Sequence, residues 1–274
     1  MVIDKVVTEY NQKGFTVIKK LIEPQDVSKF VGIAKHYDSG TTTNEIITYF
    51  SSVIRFIDPR VYKHIYKPIT PKFYQDSYFL ISQTYRPKFK SLIDTFNFQG
   101  FRSISRIDSY VSYKSANNVV EWHCDQAFGG ATHPAEFFGG TDGGMMSLNN
   151  VNKLFIHVTD VKYQNGCFSY IPYSHKINIA IRKLINAGVV AYKPILLLQD
   201  AVNLVKGEYY AELLNVCSKE SLENFIDSGE EAMCSDKDFV LECKAGDAIL
   251  FNDLGYHKGT APQKSDRVVF RYFY

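Results

Sequence analysis

The pattern of apolar and polar positions changes texture about a third of the way along the chain. Residues 4–14 read as a short helix stopped by Gly14. FTVIKKLI (15–22) alternates and is rich in β-branched residues, as a strand should be. In EPQDVSKFVGIAKHYDSG (23–40), Pro24 suits a first helical turn, and Val27, Phe30, Val31 and Ala34 recur at spacings of three and four. Residues 45–100 read as helical, with proline-containing loops around PITPKF and YRPKFK. From about residue 101 the runs become short and are separated by Gly, Asn and Asp: SRIDSYVSY, VVEWHCDQAF, LFIHVTDV, CFSYIP, DFVLEC, AILFN and RVVFRYFY. Such runs predict a β-sandwich or barrel rather than βαβ units. One stretch, 177–238, breaks the series with helical patterns (IAIRKLINAG, QDAVNLVKGEYYAELLNVCS, SLENFID).

There is no internal repeat, low-complexity segment or flexible linker. The expectation is one domain, 1–274. It comprises an N-terminal strand and helical part (1–100), a β core (101–176 and 239–274) and a helical insertion (177–238) that would cover or border a substrate mouth.

Composition narrows the function. Apolar residues make up 45% and charged residues 22%, an ordinary globular balance. A net charge of +2 without long blocks of one sign argues against nucleic acid or a membrane surface as partner. The basic run RPKFK (86–90) reads as a solvated loop. Five cysteines, odd in number and without a CxxC pair, indicate neither a disulfide framework nor a structural zinc site. The N-terminal residues lack the apolar core of a signal peptide, and no run of 18 apolar residues predicts a span, so a reducing cytoplasm is the expected location.

Two His-x-Asp triplets occur, His36-Tyr37-Asp38 and His123-Cys124-Asp125. The first falls at a helix end, where residues two apart point about 200° away from each other around the axis. The second lies in a strand-like run. On a strand, i and i+2 face the same way, about 6.6 Å apart, and their side chains converge. His257, in GDAILFNDLGYHKG, is the candidate third group. Two imidazoles and a carboxylate suit non-haem Fe(II), with positions left for a cosubstrate and oxygen, although zinc accepts the same three. Arg267, ten residues after His257, favours iron, because a keto diacid chelating iron at one end needs a cation at the other and a guanidinium binds a carboxylate bidentately. Alternation places Arg267, Val269, Arg271 and Phe273 on one face, so either arginine could serve.

These motifs together resemble the phytanoyl-CoA dioxygenase-like family of Fe(II)/2-oxoglutarate oxygenases over nearly the whole chain. GFTVIKKLIEPQDV is similar to its N-terminal strand and helix, WHCD to its WHxD iron motif, VTDVKYQNGCFSYIPYSHK to its central NG and PGSHK stretch, and GDAILFNDLGYHKGTAPQKSDR to its closing segment. The resemblance implies a double-stranded β-helix (jelly roll) with helices packed on one side. It makes His123, Asp125 and His257 iron ligands and Arg267 the anchor of the distal carboxylate of 2-oxoglutarate, with Thr260 or Gly259 near the place of a helping hydroxyl. It implies oxidation of an unactivated C–H bond of a small, partly polar metabolite, free or tethered to a carrier or CoA, using O2 and releasing succinate and CO2; hydroxylation is the default outcome, and desaturation, epoxidation or cyclisation use the same ligands. Asp125, retained as a carboxylate, argues against the halogenase relatives. Departures are Tyr173 where the family usually has Gly, the short His257–Arg267 interval and the long insertion.

Further candidates are Tyr113 and Asn149 as cosubstrate contacts and Lys114, Gln126 and His157 as substrate contacts. The blander alternatives are a solvated strand end for Tyr113 and Lys114 and a core histidine for His157. His175 and Asp160 read as structural, His64 and His133 as surface groups, and Trp122 as packing. Two other functions share the ligand set: a cupin-type metal enzyme without 2-oxoglutarate, which leaves Arg267 idle, and a non-catalytic binding jelly roll, which leaves the ligands idle.

Overall fold

The computed structural model describes residues 3–38, 106–112, 114, 121–125, 152–191 and 195–273. The helical reading of 45–100, with RPKFK, His64 and His133, lies outside the described residues.

Helix α1 (Ile3–Lys13) ends at Gly14, whose φ of +86° turns the chain into strand β1 (Phe15–Ile18). The strand is shorter than FTVIKKLI predicts. Asp247 is the reason: its carboxylate accepts from the Lys20 amide and the Lys19 ammonium, both at 2.9 Å, and bends the chain at Lys20, φ 52°. Helix α2 (Pro24–Asp38) follows, starting at the proline.

Ten strands form two antiparallel sheets among the described residues. The first has the order β1, β8 (Ala248–Asn252), β4 (Asn152–His157), β10 (Arg267–Phe273), β2 (Arg106–Ser112). The second has the order β6 (Ile195–Leu197), β3 (His123–Asp125), β9 (His257–Gly259), β5 (Phe168–Tyr170), β7 (Val240–Leu241). Their inner faces meet through aromatic rings. Phe168 of the second sheet packs on Phe155 and Phe251 of the first, with centroids 5.6 and 4.5 Å apart.

Helices cover both outer faces, where the family resemblance implied one. Phe30 of α2 packs edge-on against Phe270 of β10, 5.3 Å away. The second sheet is covered by α3 (Ser174–Asn186), α4 (Leu198–Lys206), α5 (Tyr210–Leu214) and α6 (Lys219–Cys234), around a core that includes Trp122, Cys124, Ile181, Val202, Phe225 and Tyr256. For the first sheet the physical reason is legible in AILFN, where all five positions are buried: a run without alternation needs apolar cover on both sides.

The insertion also differs from a purely helical reading. Its first helix starts at Ser174, a break at Gly207 splits the central stretch into α4 and α5, and Ile195–Leu197 leaves it to become β6, an edge strand on β3. Among the described residues no helix is long and apolar enough to cross a membrane.

Candidate functional site

Strand β3 is hydrogen-bonded between β6 and β9, and its register sets His123 opposite His257. Directly opposed residues project to the same face, and the two rings lie 4.5 Å apart between centroids, tilted by 54°. Each ring is fixed in the same way. His123 Nδ1 donates to the Glu121 carbonyl at 2.7 Å and His257 Nδ1 to the Gly255 carbonyl at 2.8 Å. A carbonyl only accepts, so Nδ1 carries the proton in both rings and Nε2 carries the lone pair. That is the tautomer and the second bond of a metal-binding histidine. His257 is buried and His123 half-buried, so the pair stands where the interior opens to solvent. Asp125 occupies the position two places along β3, opposite Ile195. Among the described residues no group of three His, Cys, Asp or Glu side chains could hold a metal, and the Asp125 side chain lies outside that set.

The back of β3 is held by the insertion. Cys124 points away from the histidine face, its thiol donating to the Leu254 carbonyl at 3.1 Å and its sulfur accepting from Asn178 Nδ2 of α3 at 2.5 Å. Trp122 also turns backward, as alternation predicts; its indole N–H donates to the Ala232 carbonyl of α6 at 3.1 Å. The strand carrying His123 is therefore fixed by helices on one side and leaves its histidine face to the space between the sheets.

In front, Phe168 and Phe251 close on the His257 ring, with centroids 5.5 and 5.6 Å away. Two residues past His257, Gly259 faces the same way, and a Cβ there would lie 3.7 Å from Arg267 Nη1. Arg267 is clamped by the Asn165-Gly166 turn. Its Nη1 donates to the Gly166 carbonyl at 3.0 Å, and Gly166, at φ +74°, lies against its aliphatic stem. The Asn165 carboxamide accepts from the Lys264 and Ser265 amides at 2.9 and 3.3 Å, fixing the loop that leads into Arg267. Nothing in the Asn165-Gly166 dipeptide announces this grip on an arginine a hundred residues away. His157, opposite Val269, is 1% exposed, and neither ring nitrogen has a hydrogen-bond partner among the described residues. Burial, aided by the Arg267 charge, lowers its pKa to about 3, so the ring is neutral.

The remaining candidates separate clearly. Thr260 faces away from Arg267: its hydroxyl donates to the Cys167 carbonyl at 3.2 Å and touches the Cys167 sulfur, leaving Gly259 beside the arginine. Arg271 is half-buried, opposite Phe155, four residues and about 13 Å of strand from Arg267. Lys114 is exposed, its amide donating to Asp266 at 2.9 Å. Asp160 is a turn residue that accepts from the Ala245 amide at 2.8 Å. His175 is buried against Gly14, where a Cβ would collide with its ring, and burial lowers its pKa to about 4. Tyr113, Gln126 and Asn149 lie outside the described residues. One neighbour escaped the sequence reading: Leu197 of β6, opposite His123 and exposed, comes from a three-residue strand too short to show a period.

No curated protein sequence matches the chain. Solved structures do. The 2-oxoglutarate-dependent (non-haem alpha ketoglutarate dependent) carbocyclase SnoK from nogalamycin biosynthesis is 14% identical, with 98% of this chain and 83% of that one covered and a TM-score of 0.54. EvdO2 from Micromonospora carbonacea var. aurantiaca, complexed with 2-oxoglutarate, is 10% identical over 98% and 89%, TM-score 0.49. HygX from Streptomyces hygroscopicus, with nickel and 2-oxoglutarate bound, is 13% identical over 98% and 85%, TM-score 0.48. At such identities the likeness to SnoK speaks for the fold. The profile of the phytanoyl-CoA dioxygenase (PhyH) family matches residues 10–268, nearly the full length, and the chain belongs to that family of Fe(II)/2-oxoglutarate-dependent dioxygenases.

Proposed function

We propose that the protein hydroxylates an unactivated C–H bond of a small metabolite, on a double-stranded β-helix core, with His123, Asp125 and His257 holding iron and Arg267 holding the distal carboxylate of 2-oxoglutarate. The observation that carries this reading is the opposed histidine pair, each with Nδ1 tied to a carbonyl so that both Nε2 lone pairs belong to the ligand face. With iron and 2-oxoglutarate bound, the site supplies oxidation of a C–H bond by O2, coupled to conversion of 2-oxoglutarate into succinate and CO2.

The chain's own residues have distinct tasks. The carbonyls of Glu121 and Gly255 hold the imidazoles in one tautomer and orientation. Phe168 and Phe251 exclude water from the His257 side and strengthen every charge interaction there. Arg267 lies beside Gly259, two residues or about 6.6 Å of strand from His257, within the reach of a five-carbon keto diacid. Its planar guanidinium matches a carboxylate in shape and charge. The half-buried side, toward His123 and Leu197, is the side for substrate, and Leu197 offers it an apolar contact. That favours a metabolite with both apolar and polar parts.

The test has two arms. Anaerobic Fe(II) and 2-oxoglutarate should give a weak visible charge-transfer band that Arg267→Ala abolishes. A panel of small metabolites should contain one that drives succinate release and gains one oxygen atom in mass. A wild-type protein without the band, or an Arg267→Ala variant that keeps it, would refute the assignment.

A further inference from the structure

His157 is a buried polar group whose ring nitrogens have no hydrogen-bond partner among the described residues. Buried polar atoms are almost always paired, and a neutral imidazole with neither nitrogen paired gives up hydrogen bonds it had in water. Packing alone does not account for a histidine here, because an apolar residue would fill the position without that loss. The position is specific. β4 alternation sets His157 on the face of Phe155, which points between the sheets onto Phe168, and its partner across the ladder is Val269. Arg267 is two residues from Val269 on the same face, a diagonal neighbour of His157. Next to Arg267 in the other sheet stands Gly259, which offers no side-chain donor, and the nearby Thr260 hydroxyl is committed to Cys167. Among the described residues, this end of the site therefore brings together the Arg267 guanidinium and the unpaired His157 ring.

We infer that His157 is a second recognition group for the distal carboxylate of the keto diacid, donating a neutral N–H beside Arg267 in place of a hydroxyl. The inference rests on the 2-oxoglutarate reading above and adds a specificity residue to it. Charge supports it: one guanidinium faces one carboxylate, and a neutral imidazole adds a hydrogen bond without a second positive charge. Burial and the Arg267 field hold the ring in that neutral form. The arrangement selects keto acids with a second carboxylate over those ending in a methyl group, because only the carboxylate supplies the acceptor that His157 lacks.

Two probes separate the contributions: 2-oxoglutarate and 2-oxopentanoate, which keeps the five carbons but ends in a methyl group. Their dissociation constants for the Mn(II)-loaded protein would be measured by calorimetry for wild type, His157→Phe and His157→Gln. The expected result is that His157→Phe weakens 2-oxoglutarate about 10-fold or more while leaving 2-oxopentanoate within about 3-fold, and that His157→Gln, which keeps an N–H donor, recovers part of the loss. If His157→Phe does not fold, His157→Leu takes its place in the comparison. Equal weakening of both acids, or no weakening of either, overturns the inference while leaving the 2-oxoglutarate reading intact. A wild-type protein that binds neither acid, or binds both alike, overturns that reading and the inference with it.

Discussion

Two glycines of nearly equal backbone geometry allow the arginine clamp to be tested with an internal control. Gly166 has φ +74° and Gly188 has φ +73°. An alanine at either must adopt a left-handed conformation, which costs about 1–2 kcal/mol, partly offset by about 0.4–1 kcal/mol from a less flexible unfolded chain. Gly188 has nothing within 4 Å of the added methyl, so Gly188→Ala should cost only the net strain, about 1 kcal/mol. At Gly166 the methyl meets Arg267 Cδ at 3.0 Å, Cβ at 3.2 Å and Cγ at 3.4 Å. The outer stem could swing away, but Cβ is fixed to β10, and swinging endangers the 3.0 Å bond from Nη1 to the Gly166 carbonyl. Overpacking of this kind adds about 1–3 kcal/mol. Gly166→Ala should therefore cost about 2–4 kcal/mol in urea denaturation of the metal-free protein, at least twice its control. The same displacement should weaken 2-oxoglutarate binding to the metal-loaded protein about 10-fold, while Gly188→Ala leaves binding unchanged. Equal behaviour of the two variants in both assays would show that Gly166 does not position Arg267.

Other expectations follow from single features of the structure. Tyr173 holds φ 64° at the start of α3, so Tyr173→Gly should be more stable than Tyr173→Ala by about 1 kcal/mol in thermal unfolding; the opposite order would deny the strain. Lys153 and Asp253 form a buried ion pair at 2.7 Å. Lys153→Met should cost about 3–5 kcal/mol, with part recovered by adding Asp253→Asn, and simple additivity would show that the pair is uncoupled. His157 and His175 have folded pKa values of about 3 and about 4, below the ordinary 6.5, so the unfolded chain takes up protons first as pH falls. Their contribution is complete above pH 6.5 and is lost as pH falls toward those values, at about 2 kcal/mol for each by pH 5. Denaturation midpoints at pH 7.5 and 5 should show this loss, and His175→Gln should remove about half of it; an unchanged pH dependence in that variant would refute its share.

What the sequence made legible were features whose period or spacing survives in one dimension. AILFN and RVVFRYFY became strands close to their expected bounds because apolar, β-branched runs have few other uses. His123 and His257 could be paired in advance because a strand-borne His-x-Asp needs a partner and few histidines remained. The strand Ile195–Leu197 was illegible, being three apolar residues between helices, and its role comes from pairing with β3. Cover on the outer face of the first sheet follows from the unbroken burial of β8, a signal present in the sequence but outweighed by the family resemblance. Thr260 could have been set aside by counting: alternation from His257 gives its face to Gly259, and the hydroxyl to the other side.

The histidines show where one-dimensional reading ends. By residue type, His123, His157, His175 and His257 are equivalent, and three of them are buried. What sorts them is the atom that each ring nitrogen meets. A carbonyl on Nδ1 fixes a tautomer and directs Nε2 to one face, and this occurs twice, on opposed strands. The His175 ring is stacked against a glycine that could be no other residue, so its identity serves packing at the turn after α1. His157 has the opposite signature, full burial with no partner among the described residues and a guanidinium nearby. A neutral donor in that setting, beside a guanidinium, suits the anionic acceptor inferred above, the distal carboxylate of 2-oxoglutarate.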